Sequence, residues 1–210
     1  KVMEIQRGLG TDIAMVLDEC VPYPSPYEYV KASAEQTSRW AKRCQEVKRE
    51  KDPALFAIVQ GGVYRDLREK SAQTLVEMDF QGYAIGGLSV GEPKSMMQDV
   101  VEWTTPLLPE NTPRYLMGVG TPDDMIHAVI HGVDFFDCVL PTRNARNGTL
   151  FTSTGKISIK QAQYAEDPRP VDETCSCYAC RYYSRAYLRH LHLSKEILSS
   201  RLNTVHNLYY

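Results

Sequence analysis

The sequence predicts a parallel α/β protein, and three observations carry that prediction. Short apolar runs of strand length recur five times, each separated from the next by a longer segment with helical periodicity. Polar or glycine residues follow every run, so reactive groups would gather along one rim of a parallel sheet. The last part of the chain breaks this alternation with a cluster of cysteines. A (β/α) barrel and a doubly wound open sheet both accommodate the alternation. A closed eight-fold barrel takes about 250 residues. With 210 residues, some of them spent on the cysteine segment, the barrel expected here is incomplete.

The elements follow in order. Ile13-Ala14-Met15-Val16-Leu17 is the first strand, leaving Asp18-Glu19-Cys20 at its exit before the turn Pro22-Tyr23-Pro24-Ser25-Pro26. The helical pattern from about Tyr27 to Arg49 carries Ala34, Trp40, Ala41, Cys44 and Val47 on one stripe. Leu55 to Val59 forms the second strand and delivers Gln60-Gly61-Gly62; a helix from about Arg65 to Glu77 follows. Tyr83-Ala84-Ile85 leads into Gly86-Gly87-Leu88-Ser89-Val90-Gly91-Glu92, where glycines let backbone approach a ligand closely. After a helix from about Ser95 to Leu107, Arg114 to Met117 makes the fourth strand, ending in Gly118-Val119-Gly120. Thr121-Pro122-Asp123-Asp124 has the form of a helix start, with Thr as cap and Pro in the first turn. The fifth run, around Phe135-Phe136, presents Asp137 at its end, ahead of a Pro-, Asn- and Gly-rich turn bearing Arg143 and Arg146. A carboxylate at a strand exit with guanidinium groups close behind suits a reaction at an anionic or sugar-phosphate substrate. An isolated Asp of this kind more often just stabilises a turn.

Composition limits the function further. At 43% hydrophobic and 24% charged residues, the chain has the profile of a globular protein with a substantial core. A formal charge of -2 argues against holding nucleic acid by bulk electrostatics, so any RNA site must be a local patch. No apolar run approaches the roughly 20 residues of a membrane span, and no signal-peptide pattern opens the chain, so a cytoplasmic location without membrane contact is expected. The chain begins at Lys1 within running sequence, and a piece of a longer protein is expected.

Cys175, Cys177 and Cys180 stand as C-x-C-x2-C in a polar, Tyr- and Arg-rich segment, which reads as a metal site rather than a disulfide framework. Three thiolates need a fourth ligand to close a structural zinc tetrahedron, and His190, His192 and His206 are the candidates. Helical sequence follows from about Ser184 to Leu202.

Asp18-Glu19-Cys20 with Pro22-Tyr23-Pro24, Gln60-Gly61, Gly86 to Glu92, Arg114 to Gly120, Phe136 to Arg143, and the C-x-C-x2-C with Asn203-Thr204-Val205-His206-Asn207 together resemble bacterial tRNA-guanine transglycosylase over nearly the whole chain. The resemblance implies the C-terminal strands of a (β/α)8 TIM-type barrel over residues 1–165 and a zinc-binding subdomain over 166–210. It implies a pentosyltransferase that replaces guanine at the wobble position of the tRNA anticodon loop with a 7-deazaguanine base, in queuosine biosynthesis. Asp137 would be the nucleophile, and Asp18, Gln60, Gly87, Leu88 and Met117 the base pocket. Arg143 and Arg146 would hold RNA, and His206 would join Cys175, Cys177 and Cys180 around a structural zinc. A homodimer is implied at full length.

The family also carries a second catalytic Asp in an upstream Thr-Asp-Ser-Gly-Gly-Phe-Gln motif, which this sequence lacks, so the chain alone is expected to be inactive. A non-catalytic, zinc-containing RNA-binding or accessory subunit is the alternative reading, and the presence of both Asp18 and Asp137 favours the enzyme. The archaeal branch, which handles a different tRNA position, fits the Asp18-Glu19-Cys20 context less well. Val90, where the eukaryotic branch looks to have glycine, leaves room for the smaller 7-aminomethyl-7-deazaguanine (preQ1) rather than queuine.

Overall fold

The computed structural model describes residues 1–210, which form two compact units, Lys1–Cys138 and Val139–Tyr210. The first unit runs α1 (Val2–Leu9), β1 (Ile13–Met15), α2 (Tyr27–Glu46), β2 (Ala54–Val59), α3 (Arg65–Val76), β3 (Gly82–Ile85), α4 (Lys94–Thr104), β4 (Arg114–Leu116), α5 (Pro122–Ile130) and β5 (Phe135–Phe136). All five expected strands form. They lie side by side in sequence order, every pair parallel. A doubly wound sheet reverses its strand order at a switch point, and this one does not, which leaves the barrel-type winding.

The two faces of the sheet differ in chemistry. Ala14, Leu55, Ala57, Val59, Tyr83, Ile85 and Leu116 are buried on the helix-facing side, against Ala41 of α2, Ala72 and Leu75 of α3, and Val100 and Val101 of α4. Alternation then assigns Met15, Phe56, Ile58, Ala84, Tyr115 and Phe135 to the opposite face. That face is concave. The rings of Phe56 on β2 and Phe135 on β5 approach to 6.4 Å, although three strand spacings in a flat sheet would hold their backbones about 14 Å apart. Gly82 pairs with Phe56 in the ladder, where any Cβ would meet the Phe56 ring at 2.3 Å. The result is a curled parallel half-barrel whose strand ends converge.

Helix starts follow the local chemistry. The Thr121 side chain accepts from the Asp124 backbone N–H and Pro122 occupies the first turn of α5, as the sequence indicates. β1 is shorter than its apolar run, although Val16 N–H still donates to Phe56 O at 3.0 Å before the chain turns polar at Asp18.

The second unit contains α6 (Leu140–Arg146), the antiparallel pair β6 (Thr149–Thr152) and β7 (Gly155–Ser158), then α7 (Tyr178–Tyr182), α8 (Arg185–Leu193) and α9 (Ile197–Tyr209). Leu150, Ile159, Val171, Leu188, Leu191 and Leu202 make its core. Three features differ from the sequence reading. The arginine-bearing segment after Asp137 is a helix, with Pro141 in its first turn and Gly148, at φ 77°, just past its end. The β6–β7 hairpin has a Ser153-Thr154 turn without the usual Asn-Gly signal, so local sequence does not announce it. The segment from Ser184 onward is two helices, broken where Lys195 takes a left-handed φ of 58°.

Candidate functional site

At the C-terminal ends of β1, β2 and β3, three loops bring Asp18, Gln60 and Gly87 together. The Gln60 Nε2 amide donates to Asp18 Oδ2 at 2.7 Å. Asp18 is held toward this partner because its neighbour is tied to α2: Glu19 N–H donates to Thr37 Oγ1 at 3.1 Å, and Glu19 Oε1 accepts from Tyr29 at 2.8 Å. Gln60 is buried and its backbone N–H donates to Ser71 Oγ of α3 at 3.2 Å. Its Oε1 has no hydrogen-bond partner although it is buried, an unfilled capacity within this cluster. Gly87, at φ 67°, passes so close that a Cβ would sit 2.3 Å from Gln60 Oε1. A side chain there would be strained by the left-handed φ and would displace the Gln60 amide oxygen.

Burial pushes the Asp18 carboxyl above the usual carboxylate range, and the Gln60 hydrogen bond opposes this in part. The loop after Gly87 is ordered by Glu92. Its carboxylate accepts from the Ser89 N–H and, at 2.9 Å, from the Val90 N–H. With the Ser89 N–H turned onto Glu92, the Leu88 carbonyl of the same peptide faces the opposite way. The Leu88 side chain is buried, Val90 is partly buried, and Val90, Gly87, Glu92, Tyr23 and Val30 border a cavity of about 160 Å³.

At the other end of the sheet, Asp137 is exposed at the exit of β5. Its Oδ1 accepts from the Tyr115 hydroxyl at 2.6 Å and from the Gly118 N–H at 2.8 Å. Fixing one oxygen with two donors orients the other. Burial, and then the hydrogen bond to Asp137, raise the Tyr115 pKa well above that of an ordinary phenol, so Tyr115 remains a donor. Met117 follows β4 and is half-buried. Tyr115 and Gly118 are candidate site residues to which motif reading gave no role, whereas Glu92 was expected to orient the Leu88 peptide. Tyr115 could have been found from register: it pairs with Phe135, so it shares a sheet face with Asp137 two residues on.

In the second unit, Cys175, Cys177, Cys180 and His206 offer four ligand atoms within 4.8 Å of one another. His206 Nδ1 lies 3.7, 3.5 and 3.3 Å from the three sulfurs. A tetrahedral ion with zinc-like bond lengths separates N and S ligands by about 3.6 Å, so the donor set fits such an ion. His206 Nε2 is 2.6 Å from Phe151 O, which assigns the proton to Nε2 and leaves the Nδ1 lone pair for the thiols. Burial pushes the Cys180 thiol up to about 12. A bound cation would offset that desolvation. Asp172 shapes the preceding loop by accepting from the Ser153 N–H, the Thr174 N–H and the Thr174 hydroxyl. Of the three candidate histidines, His206 alone joins the cluster; His190 is exposed and His192 lies against Gly148.

Arg143 and Arg146 sit one helical turn apart on α6, both exposed and in no ion pair. α6 is held by α9: Asn203 Nδ2 donates to Ala145 O at 3.3 Å and Asn207 Nδ2 to Pro141 O at 3.0 Å. No helix is long and apolar enough to cross a membrane.

The whole chain, residues 1–210, matches the family model described as "TGT: Queuine tRNA-ribosyltransferase". Proteins named queuine tRNA-ribosyltransferase are similar along all of it. The one from Thermoanaerobacter sp. (strain X514) is 64% identical over 211 residues, 100% of this chain and 56% of the relative. The one from Desulforamulus reducens is 60% identical over 210 residues, 100% of this chain and 57% of the relative. The one from Bacillus velezensis is 60% identical over 211 residues, 100% of this chain and 55% of the relative. The chain thus spans a little over half the length of these curated relatives.

Proposed function

Because the chain belongs to the queuine tRNA-ribosyltransferase family, we propose that it carries the base pocket and nucleophile of a tRNA-guanine transglycosylase acting at the anticodon wobble position. The observation that carries this reading is the division of labour between two carboxylates on one sheet. Asp18 is partly buried beside an amide donor, and Asp137 is exposed and held by Tyr115 and Gly118.

Asp18 suits the Watson-Crick edge of guanine. Its carboxylate accepts side by side from the ring N–H and the exocyclic amine, an arrangement adenine cannot supply, while the Gln60 amide and the Gly87 N–H donate to the carbonyl of the base. A base that leaves such groups unpaired can be rejected by about 10⁴ or more. Met117 packs against the ring. Asp137 attacks C1′ as the bond to N9 breaks, forming an ester to the ribose; the N9 of the incoming base then displaces Asp137 with overall retention. The departing guanine gains a proton at N9 and the incoming base loses one. The acid of the family's upstream motif is the expected carrier of both. Arg143 and Arg146 contact RNA phosphates.

The incoming base is 7-aminomethyl-7-deazaguanine. The orientation of the Leu88 carbonyl, with the adjoining N–H on Glu92, supports this, because an outward carbonyl accepts from an aminomethyl group. Cys175, Cys177, Cys180 and His206 would hold a zinc ion, which with four protein ligands would serve structure rather than catalysis.

The test is covalent trapping. The full-length protein, denatured after incubation with substrate tRNA, should retain RNA, and Asp137→Asn should abolish that adduct and lower base exchange by about 10³-fold or more, with RNA binding largely intact. An adduct that persists in the variant names another nucleophile.

A further inference from the structure

One charged residue lies beneath this pocket and belongs to none of the roles above. Arg68, in the first turns of α3, is fully buried. No carboxylate stands within ion-pair distance of it. Its partners are backbone carbonyls from two strand exits: Gly62 O at 2.8 Å from Nε, Val59 O at 3.1 Å from Nη1, and Gly87 O at 3.5 Å from Nη2. Burial lowers its pKa to about 10, so the guanidinium remains charged near neutral pH.

A buried charge with no carboxylate in contact is costly even though Glu92 favours its charged form from beyond ion-pair distance, and an apolar side chain of similar volume would usually serve a core better. The local sequence nevertheless admits it. A Cβ at Gly61 would lie 2.8 Å from the Arg68 backbone nitrogen, so glycine there lets α3 come close enough to insert the guanidinium. The planar fork is what three carbonyls in different directions require, and a lysine ammonium cannot reproduce it. Because peptide groups are planar and trans, holding the Gly87 carbonyl toward Arg68 turns the Leu88 N–H away from it and fixes one of the two peptide planes that flank Gly87, which limits how the Gly87 N–H on the other side can turn. Gly87 also packs on Gln60, whose own strand exit is tied at Val59 and Gly62.

We infer that Arg68 is a positioning residue for the base pocket, clamping the β2 and β3 exits so that Gln60 and Gly87 present preformed donors to the purine carbonyl. It touches no substrate. The inference rests on the base-pocket reading for its functional half, and its structural half stands on geometry alone.

Arg68→Lys keeps the charge and removes the fork, which makes it the first variant; Arg68→Met is the second if lysine fails to fold. Two readouts apply to each, both on the full-length protein. In hydrogen exchange, amides of residues 60–62 and 86–92 should exchange at least 10-fold faster, with the remaining amides of β2 and β3 unchanged. In guanine exchange into tRNA, KM for guanine should rise about 10-fold or more while kcat stays within about 3-fold. A uniform rise in exchange along β2 and β3, or none at the two loops, overturns the clamp. Faster loop exchange with unchanged KM in an active enzyme makes Arg68 a core residue only and overturns its role in the pocket. If the unmutated protein exchanges no guanine, the transglycosylase reading fails, and the hydrogen-exchange pattern alone decides whether the clamp exists.

Discussion

The two units handle polar groups in opposite ways. In the second, the four donors converge within 4.8 Å, the His206 proton is placed by Phe151, and His206 itself is fully buried. The four ligand atoms there face one another. In the first, the polar groups at the strand ends are pinned on one side only: Asp137 by one oxygen, Gln60 through its backbone and Nε2, Asp18 by a single amide. A closed donor set suits an ion that stays, whereas half-satisfied donors and acceptors suit a planar ligand that must arrive and leave. Burial is therefore no guide to which cluster is functional. What distinguishes them is whether hydrogen-bonding capacity is used up.

That contrast can be broken most forcefully at His206. His206→Ala should leave less than half an equivalent of zinc on freshly purified, reduced protein, against about one before mutation. It should also remove the thermal transition of the second unit, since structural zinc contributes on the order of 10 kcal/mol of binding free energy coupled to folding. Zinc content unchanged in the variant would refute the four-ligand set. Asp18→Asn serves as the converse control and should leave zinc content unaltered.

A smaller effect is expected at Val90. Overfilling a tight pocket costs about 1 to 3 kcal/mol, so the valine should lower queuine affinity by roughly one to two orders of magnitude. Val90→Gly in the full-length protein should recover most of that. Equal steady-state use of queuine and the aminomethyl base before mutation would overturn the assignment.

The gentlest test uses pH. The folded pKa of Asp18 is raised, chiefly by burial, so its ionised form is disfavoured by the fold. The stability it contributes is fully present below its unfolded pKa and is lost as pH rises through the folded one. On the proposed reading, guanine recognition has the opposite sign, because only the carboxylate accepts two hydrogen bonds. Base affinity should therefore fall as pH drops through a value above the ordinary Asp range, while Asp18→Asn binds weakly at every pH and is slightly more stable near neutrality. An affinity flat down to the normal carboxylate range would remove Asp18 from the pocket.

The five strands were legible, though not their order in the sheet, because each apolar run was long enough to be a buried strand and each exit carried a residue type that seldom follows such a run by chance. The strand exits drew attention to Asp18, Gln60, Gly87 and Asp137, whose roles came from the family resemblance, and the thiol spacing drew attention to three of the four residues of the Cys–His cluster. The chain by itself thus determined the alternation, the strand exits and the Cys175, Cys177, Cys180 cluster, since these follow from hydrophobic period and residue type at short range. Tertiary structure decided the rest. Spacing could not choose among His190, His192 and His206, because only the packing of α9 on β6 brings Nδ1 to the sulfurs. Nor could it reveal that Tyr115 braces Asp137 or that Arg68 gathers the carbonyls of Val59, Gly62 and Gly87. Those contacts join residues on different strands and helices, and their geometry is fixed by register and by the curl of the sheet, which no local pattern encodes.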